Sequence, residues 1–149
     1  MKAFRFRLQT KLEICTRQEQ IAWEEMQSRL KERELLLEEL LYRERRLLAV
    51  EEEIRQDSCK AQEYQALLLK REFVPVIVMQ IEQAEQNLSQ AEARVEEARV
   101  LLLERKRETS TLEKLKERAW QEYLWELQQE EQKIIDEIAI NNHFRRDLA

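Results

Sequence analysis

From Ile77 to Leu102, apolar residues recur in alternating steps of four and three: Ile77, Ile81, Ala84, Leu88, Ala91, Val95, Ala98 and Leu102. This is the heptad seam of a coiled-coil helix, because an apolar position every 3.5 residues holds one stripe against a partner. Ala84, Ala91 and Ala98 form a line of small residues along which a partner can approach closely. The stripe continues less cleanly through Thr109, Leu112, Ala119, Tyr123, Leu127, Ile134 and Ile138. A noisier stripe precedes it: Leu8, Leu12, Cys15, Ala22, Met26, Leu30, Leu37, Leu40, Leu47 and Ile54. Between the two stands Pro75, which suits the first turn of a helix and disfavours helical geometry in the residue before it. The pattern predicts a first helix over about 5–70, a turn at 71–75 and a second helix over about 76–141. The fold class is all-α, two long helices in an antiparallel coiled-coil hairpin spanning 1–149 as one unit. A single rod kinked at Pro75 is the competing picture, and it leaves both stripes in need of another chain.

If the chain folds back near Phe73, residue i of the first helix lies beside a residue near 146 − i of the second, an estimate from helix rise. Trp23 then meets Trp120, Tyr123 and Trp125 in an aromatic clamp. The basic clusters Arg43, Arg45, Arg46 and Arg105, Lys106, Arg107 come within about a turn of each other. Their bland reading is pairing with Glu44, Glu104 and Glu108; the sharper one is a basic belt for an acidic partner. At the hairpin end, Ile77, Ile81, Ala84 and Leu88 oppose the polar stretch 55–63, so apolar surface is left over. They equally fit a seam packed on Tyr64, Leu67, Leu68 and Leu69. Two helices bury little surface, so the fold gains stability from whatever binds it.

Composition agrees with long helices. Among 149 residues there is no glycine and one proline, and 38% are charged. Glu, Gln, Leu, Arg, Lys and Ala dominate, residues that lose little side-chain freedom in a helix. Without glycine no phosphate-cradling loop forms, the one histidine, His143, has no metal-spaced neighbour, and solvated carboxylates keep ordinary acidity. No enzyme, metal or cofactor is expected. Apolar runs such as 100–103 are far too short to cross a bilayer, and no signal-peptide core opens the chain, so it is expected to stay in the cytosol. Cys15 and Cys59 are roughly 66 Å apart on one helix and are expected to be reduced. The net charge of −5 argues against general nucleic-acid binding. The first twelve residues nonetheless carry Lys2, Arg5, Arg7 and Lys11 with no acid.

Three segments in order, Phe4-Arg-Phe-Arg-Leu-Gln-Thr-Lys-Leu, Leu112-Glu-Lys-Leu-Lys-Glu-Arg and Glu131-Gln-Lys-Ile-Ile-Asp-Glu-Ile-Ala, resemble the FliJ family. The resemblance covers essentially the whole chain, and the opening segment favours the flagellar member over its injectisome counterpart of the YscO type. It implies a stalk-like component of the type III export apparatus, cytoplasmic and peripheral to the inner membrane at its base. The implied partners are the hexameric export ATPase (FliI-like), the cytoplasmic domain of the export gate (FlhA-like) and export chaperones. The ATPase end is expected to combine Phe4, Arg5, Phe6, Arg7 and Leu8 with Lys133, Ile134 and Ile138. By the same resemblance the gate is expected to meet Tyr64, Ile77, Ile81, Ala84 and Leu88. Here Ile77 replaces the family's typical phenylalanine and Leu88 its typical histidine.

Other classes remain open. A dimeric structural coiled coil needs a strict seam on both helices, which the first helix lacks. A nucleic-acid-binding helical arm needs a basic stripe and salt-sensitive RNA binding. An export chaperone or holdase exposes apolar surface along its length.

Overall fold

A computed structural model of the chain describes residues 3–58 and 64–147, the side chains of 142–147 excepted. The readings for Lys2, Cys59 and the stretch 59–63, and for the side chains of His143, Arg145 and Arg146, lie outside the described residues. Two helices account for nearly all the rest: α1, Gln9–Ser58, of 50 residues, and α2, Tyr64–Asp147, of 84 residues. They pack against each other with no strand among the described residues, the all-α helical hairpin that the heptads predict.

The bounds differ from expectation at two places. The stretch 71–75, expected as the turn, is helical, and α2 already runs from Tyr64 with Pro75 inside it. An interior proline costs about 3 kcal/mol through its missing N–H and a clash with the carbonyl four residues back. Pro75 sits on the solvent side, and so does Arg71, whose carbonyl is left without its helical donor. Water can serve that carbonyl, while Leu67, Val74 and Ile77 bury the opposite side. The second difference is the start of α1, at Gln9 rather than near 5. Residues 4–7 alternate half-buried Phe4 and Phe6 with exposed Arg5 and Arg7. Residues 3–6 are irregular and 7–8 form a turn, so the chain enters α1 through a turn rather than as helix. The Gln9 N–H donates to the Phe6 carbonyl at 3.2 Å, and the Leu12 N–H opens the α1 ladder on Leu8 at 3.0 Å.

Burial along α2 reproduces the seam. Ile77, Ala84, Ala91, Ala98, Thr109 and Leu112 are buried, and Ile81, Leu88, Val95 and Leu102 are half-buried between them. The phase extends in both directions, to Leu67, Lys70 and Val74 and to Arg105, Lys116, Ala119 and Tyr123. Along α1 the same phase runs through buried Leu12, Cys15, Ala22 and Leu40 and half-buried Met26, Leu36, Leu47, Val50 and Ile54. Its remaining members, Glu19, Arg29, Arg33, Arg43 and Asp57, are charged and half-buried. Their stems lie along the apolar stripe while the charged heads reach out.

The chain divides into two compact units, 1–20 with 104–149, and 21–103. In the first, Leu12, Cys15 and Leu112 form a core cluster. In the second, α1 and α2 are stitched by cross-helix polar contacts. Arg33 meets Glu92 at 3.7 Å, Arg94 meets Glu32 at 3.2 Å, and the Arg43 guanidinium donates to the Gln80 carbonyl at 2.7 Å. In each unit the partners' residue numbers add to about 124, not 146. Trp23 is 48% exposed, and the ring on Trp120 and Tyr123 is Phe4. Of the two basic clusters, Arg43 also pairs with Glu39 and Arg46 lies over the Phe73 ring at 5.2 Å, while Arg105 pairs with Glu108 at 3.1 Å. Exposed ion pairs contribute at most about 1 kcal/mol each, so their larger effect is to fix the register in which the stripes meet.

Lys70 holds both Asp57 at 2.8 Å and Glu53 at 2.9 Å. The hydrogen bonds to Asp57 and then Glu53 push its pKa from 10.5 up to about 12. The folded state therefore favours the ammonium. That contribution is fully present below pH 10.5 and is lost as pH rises through about 12. The difference in thermal midpoint between wild type and Lys70→Met is expected to hold constant from pH 7 to 9 and to shrink toward pH 12. A difference that vanishes by pH 9 contradicts the ion cluster.

Candidate partner-binding surfaces

The first surface is the clasp made by the N-terminal segment on α2. Ahead of α1, Phe4 and Phe6 are half-buried and Arg5 and Arg7 are exposed. Phe4 stands edge-on to Trp120, with ring centroids 4.9 Å apart and planes at 77°, and it leans on Tyr123 at 5.5 Å. Trp120 and Tyr123 stack at 5.5 Å. Such pairs add roughly 0.5–1.5 kcal/mol each to area burial. Beside them a groove of about 750 Å³ is lined by Phe4, Arg5, Phe6, Arg7, Gln9, Thr10 and Lys116. Leu8 is exposed.

The second surface is the end of α2. Every residue from 128 to 141 is exposed, among them Lys133, Ile134 and Ile138 of the expected ATPase end. Leu127, Ile134 and Ile138 continue the face that carries Trp120 and Tyr123, so the seam runs on without α1 against it. Ile135 and Ile140 widen the exposed apolar area. The expected single end is thus two places. Lys133 lies about 20 Å along α2 from Trp120, and Ile138 about 27 Å, at 1.5 Å per residue.

The third surface lies at the start of α2. Of the residues expected to meet the gate, Tyr64 is 72% exposed, but Ile77 is 0% and Ala84 3% exposed, and Ile81 and Leu88 are half-buried in the seam. These four face α1 and hold the hairpin closed. On the opposite side, Tyr64, Leu68, Pro75 and Met79 form an exposed outward stripe, flanked by Leu69 and Val76. Sequence reasoning passed over it, although Phe73-Val-Pro-Val-Ile-Val-Met79 carries the signal. Seven consecutive apolar residues on a helix cannot all lie on one seam.

No group of histidine, cysteine or acidic side chains among the described residues is arranged to hold a metal ion. No helix among them is long and apolar enough to cross a membrane. Searches of curated proteins and of solved structures returned no match. The family model described as "Flagellar FliJ protein" matches residues 4–148. That match begins at the Phe4 ring of the clasp and takes in both helices. The chain belongs to the FliJ family of flagellar protein export components.

Proposed function

We propose that this chain is a stalk-like adaptor at the base of the flagellar export apparatus, peripheral to the inner membrane, that joins the export ATPase to the export gate and promotes ATPase assembly. The observation that carries the reading is the end of α2, where exposed Ile134 and Ile138 continue a coiled-coil stripe from half-buried Leu127 with no helix against them among the described residues. A stripe continuous with an existing interface and left exposed favours a protein partner. We assign it to the ATPase, together with the N-terminal clasp. The gate is assigned to the outward stripe of Tyr64, Leu68 and Met79, since the seam residues beside it are occupied by α1.

The test is removal of residues 128–149. The shortened chain is expected to lose capture of the export ATPase and stimulation of its hydrolysis by tenfold or more, while its melting midpoint stays within a few degrees of wild type. Full stimulation by the shortened chain would sink the assignment. Deleting the first eight residues is a less clean experiment, because it also uncovers Trp120 and Tyr123. For the gate, Met79→Asp is expected to weaken binding about tenfold with unchanged melting, as loss of an interface anchor does.

A further inference from the structure

Most of the basic residues at seam positions of this coiled coil, whose stems lie on the apolar stripe, are matched by carboxylates. Arg29, Arg33, Arg43, Lys70 and Arg105 each hold a carboxylate. Lys116 occupies the same kind of position, half-buried, and no carboxylate pairs with it among the described residues. It sits where α1 has not yet begun, and its neighbours across the groove are Arg5 and Arg7, for which no ion pair is present among the described residues. Of the acids closest in sequence, Glu13 accepts from Gln9 at 2.9 Å and Glu117 from Gln121 at 3.1 Å, and Glu113 is exposed. A groove of about 750 Å³ thus brings three unmatched cations together with the rings of Phe4 and Phe6.

We propose that this groove binds an acidic peptide segment of a partner protein, with carboxylates taken by Lys116, Arg5 and Arg7 and an apolar side chain seated between them on the Phe4 and Phe6 rings. Charge complementarity selects the acid, and concavity selects a peptide over a lipid surface. A bilayer needs a flat or convex face with insertable side chains, whereas Phe4 is committed to Trp120 and Tyr123. Arginine adds directional, paired hydrogen bonds to a carboxylate that a membrane-adsorbing lysine patch does not require. The inference goes beyond ATPase docking, since it names the ligand chemistry of the groove whichever protein supplies the segment.

The experiment uses the full chain and a short fluorescein-labelled peptide of glutamates interrupted by leucines, with its glutamine analogue as control. Anisotropy is expected to show binding that weakens with salt and falls at least tenfold for the glutamine analogue. Lys116→Gln and Arg7→Gln are each expected to weaken binding about fivefold, a magnitude in keeping with part-exposed charge pairs. Lys114→Gln, which changes the net charge equally outside the groove, is expected to change it less than twofold, and all three variants should melt as wild type does. Equal losses from Lys114→Gln and Lys116→Gln would mean that only net charge matters, and would overturn the site. Failure to bind the peptide, with Lys116-dependent sedimentation on phosphatidylglycerol vesicles, would overturn it in favour of a lipid headgroup. ATPase capture retained by Lys116→Gln while peptide binding is lost supports the proposal and separates it from ATPase docking.

Discussion

Ile77→Asp is expected to abolish the cooperative thermal transition of the hairpin, because it places a carboxylate at a position that is 0% exposed. Burial of the isoleucine contributes roughly 1.5–3 kcal/mol, and an unpaired charge in its place adds a desolvation cost of similar or larger size. A total on the order of 4–5 kcal/mol is a large share of the 5–15 kcal/mol typical of a folded domain. The readout is helical circular dichroism on heating. Met79→Asp is the control, since Met79 is 68% exposed on the outward side, and it is expected to shift stability by no more than about 0.5 kcal/mol. If Ile77→Asp melts like wild type, this stretch of α2 is not packed on α1, and the gate surface expected from family resemblance regains its claim on Ile77, Ile81, Ala84 and Leu88.

The second large effect is expected from Ala84→Trp. Ala84 is buried, and the register sets it opposite Leu40, also buried, so a small side chain faces a large one. An indole there forces the helices apart at a cost of about 1–3 kcal/mol. Leu40→Ala alone costs roughly 2–5 kcal/mol by leaving a void. Combined, the two changes exchange large for small across the same contact, and the pair is expected to recover at least 1 kcal/mol relative to the sum of the single losses. Strict additivity would mean that the two side chains do not touch and would refute the register.

The register separates what was legible in the sequence from what was not. The α2 seam could be read directly, because from Ile77 to Leu102 each of its positions is apolar. The α1 seam reads as noise, since Glu19, Arg29, Arg33, Arg43 and Asp57 occupy positions that a search for apolar residues scores as gaps. Their half-burial, and for Arg33, Arg43 and Asp57 a partner on α2, reveal that these side chains belong there. The turn was misplaced by a local rule: Pro75 is a strong breaker, but on the solvent side its cost is outweighed by the burial of its neighbours. Changing the sum of paired residue numbers from 146 to about 124 displaces the pairing by about 22 residues, close to three heptads. A seam that repeats every seven residues matches itself after such a shift nearly as well, so periodicity alone could not expose the error. The clasp was legible in part. Its residues stand out in the sequence, but 5–8, expected as the start of the first helix, are an irregular segment and a turn ahead of α1. The joint site of Phe4 to Leu8 with Lys133, Ile134 and Ile138 went with the register, because it depended on pairing those stretches.

The shared heptad phase also governs where this chain can change length. An insertion or deletion within the packed part of either helix rotates everything beyond it by about 100° per residue, turning buried positions outward. Length changes there are tolerable in sevens, or as near-compensating threes and fours. Beyond Leu127 no packed phase has to be kept, and residues can be added or lost one at a time at the cost only of moving the exposed isoleucines around the helix. Natural length variation among close relatives is therefore expected to collect in the far end of α2 and to come in multiples of the heptad elsewhere.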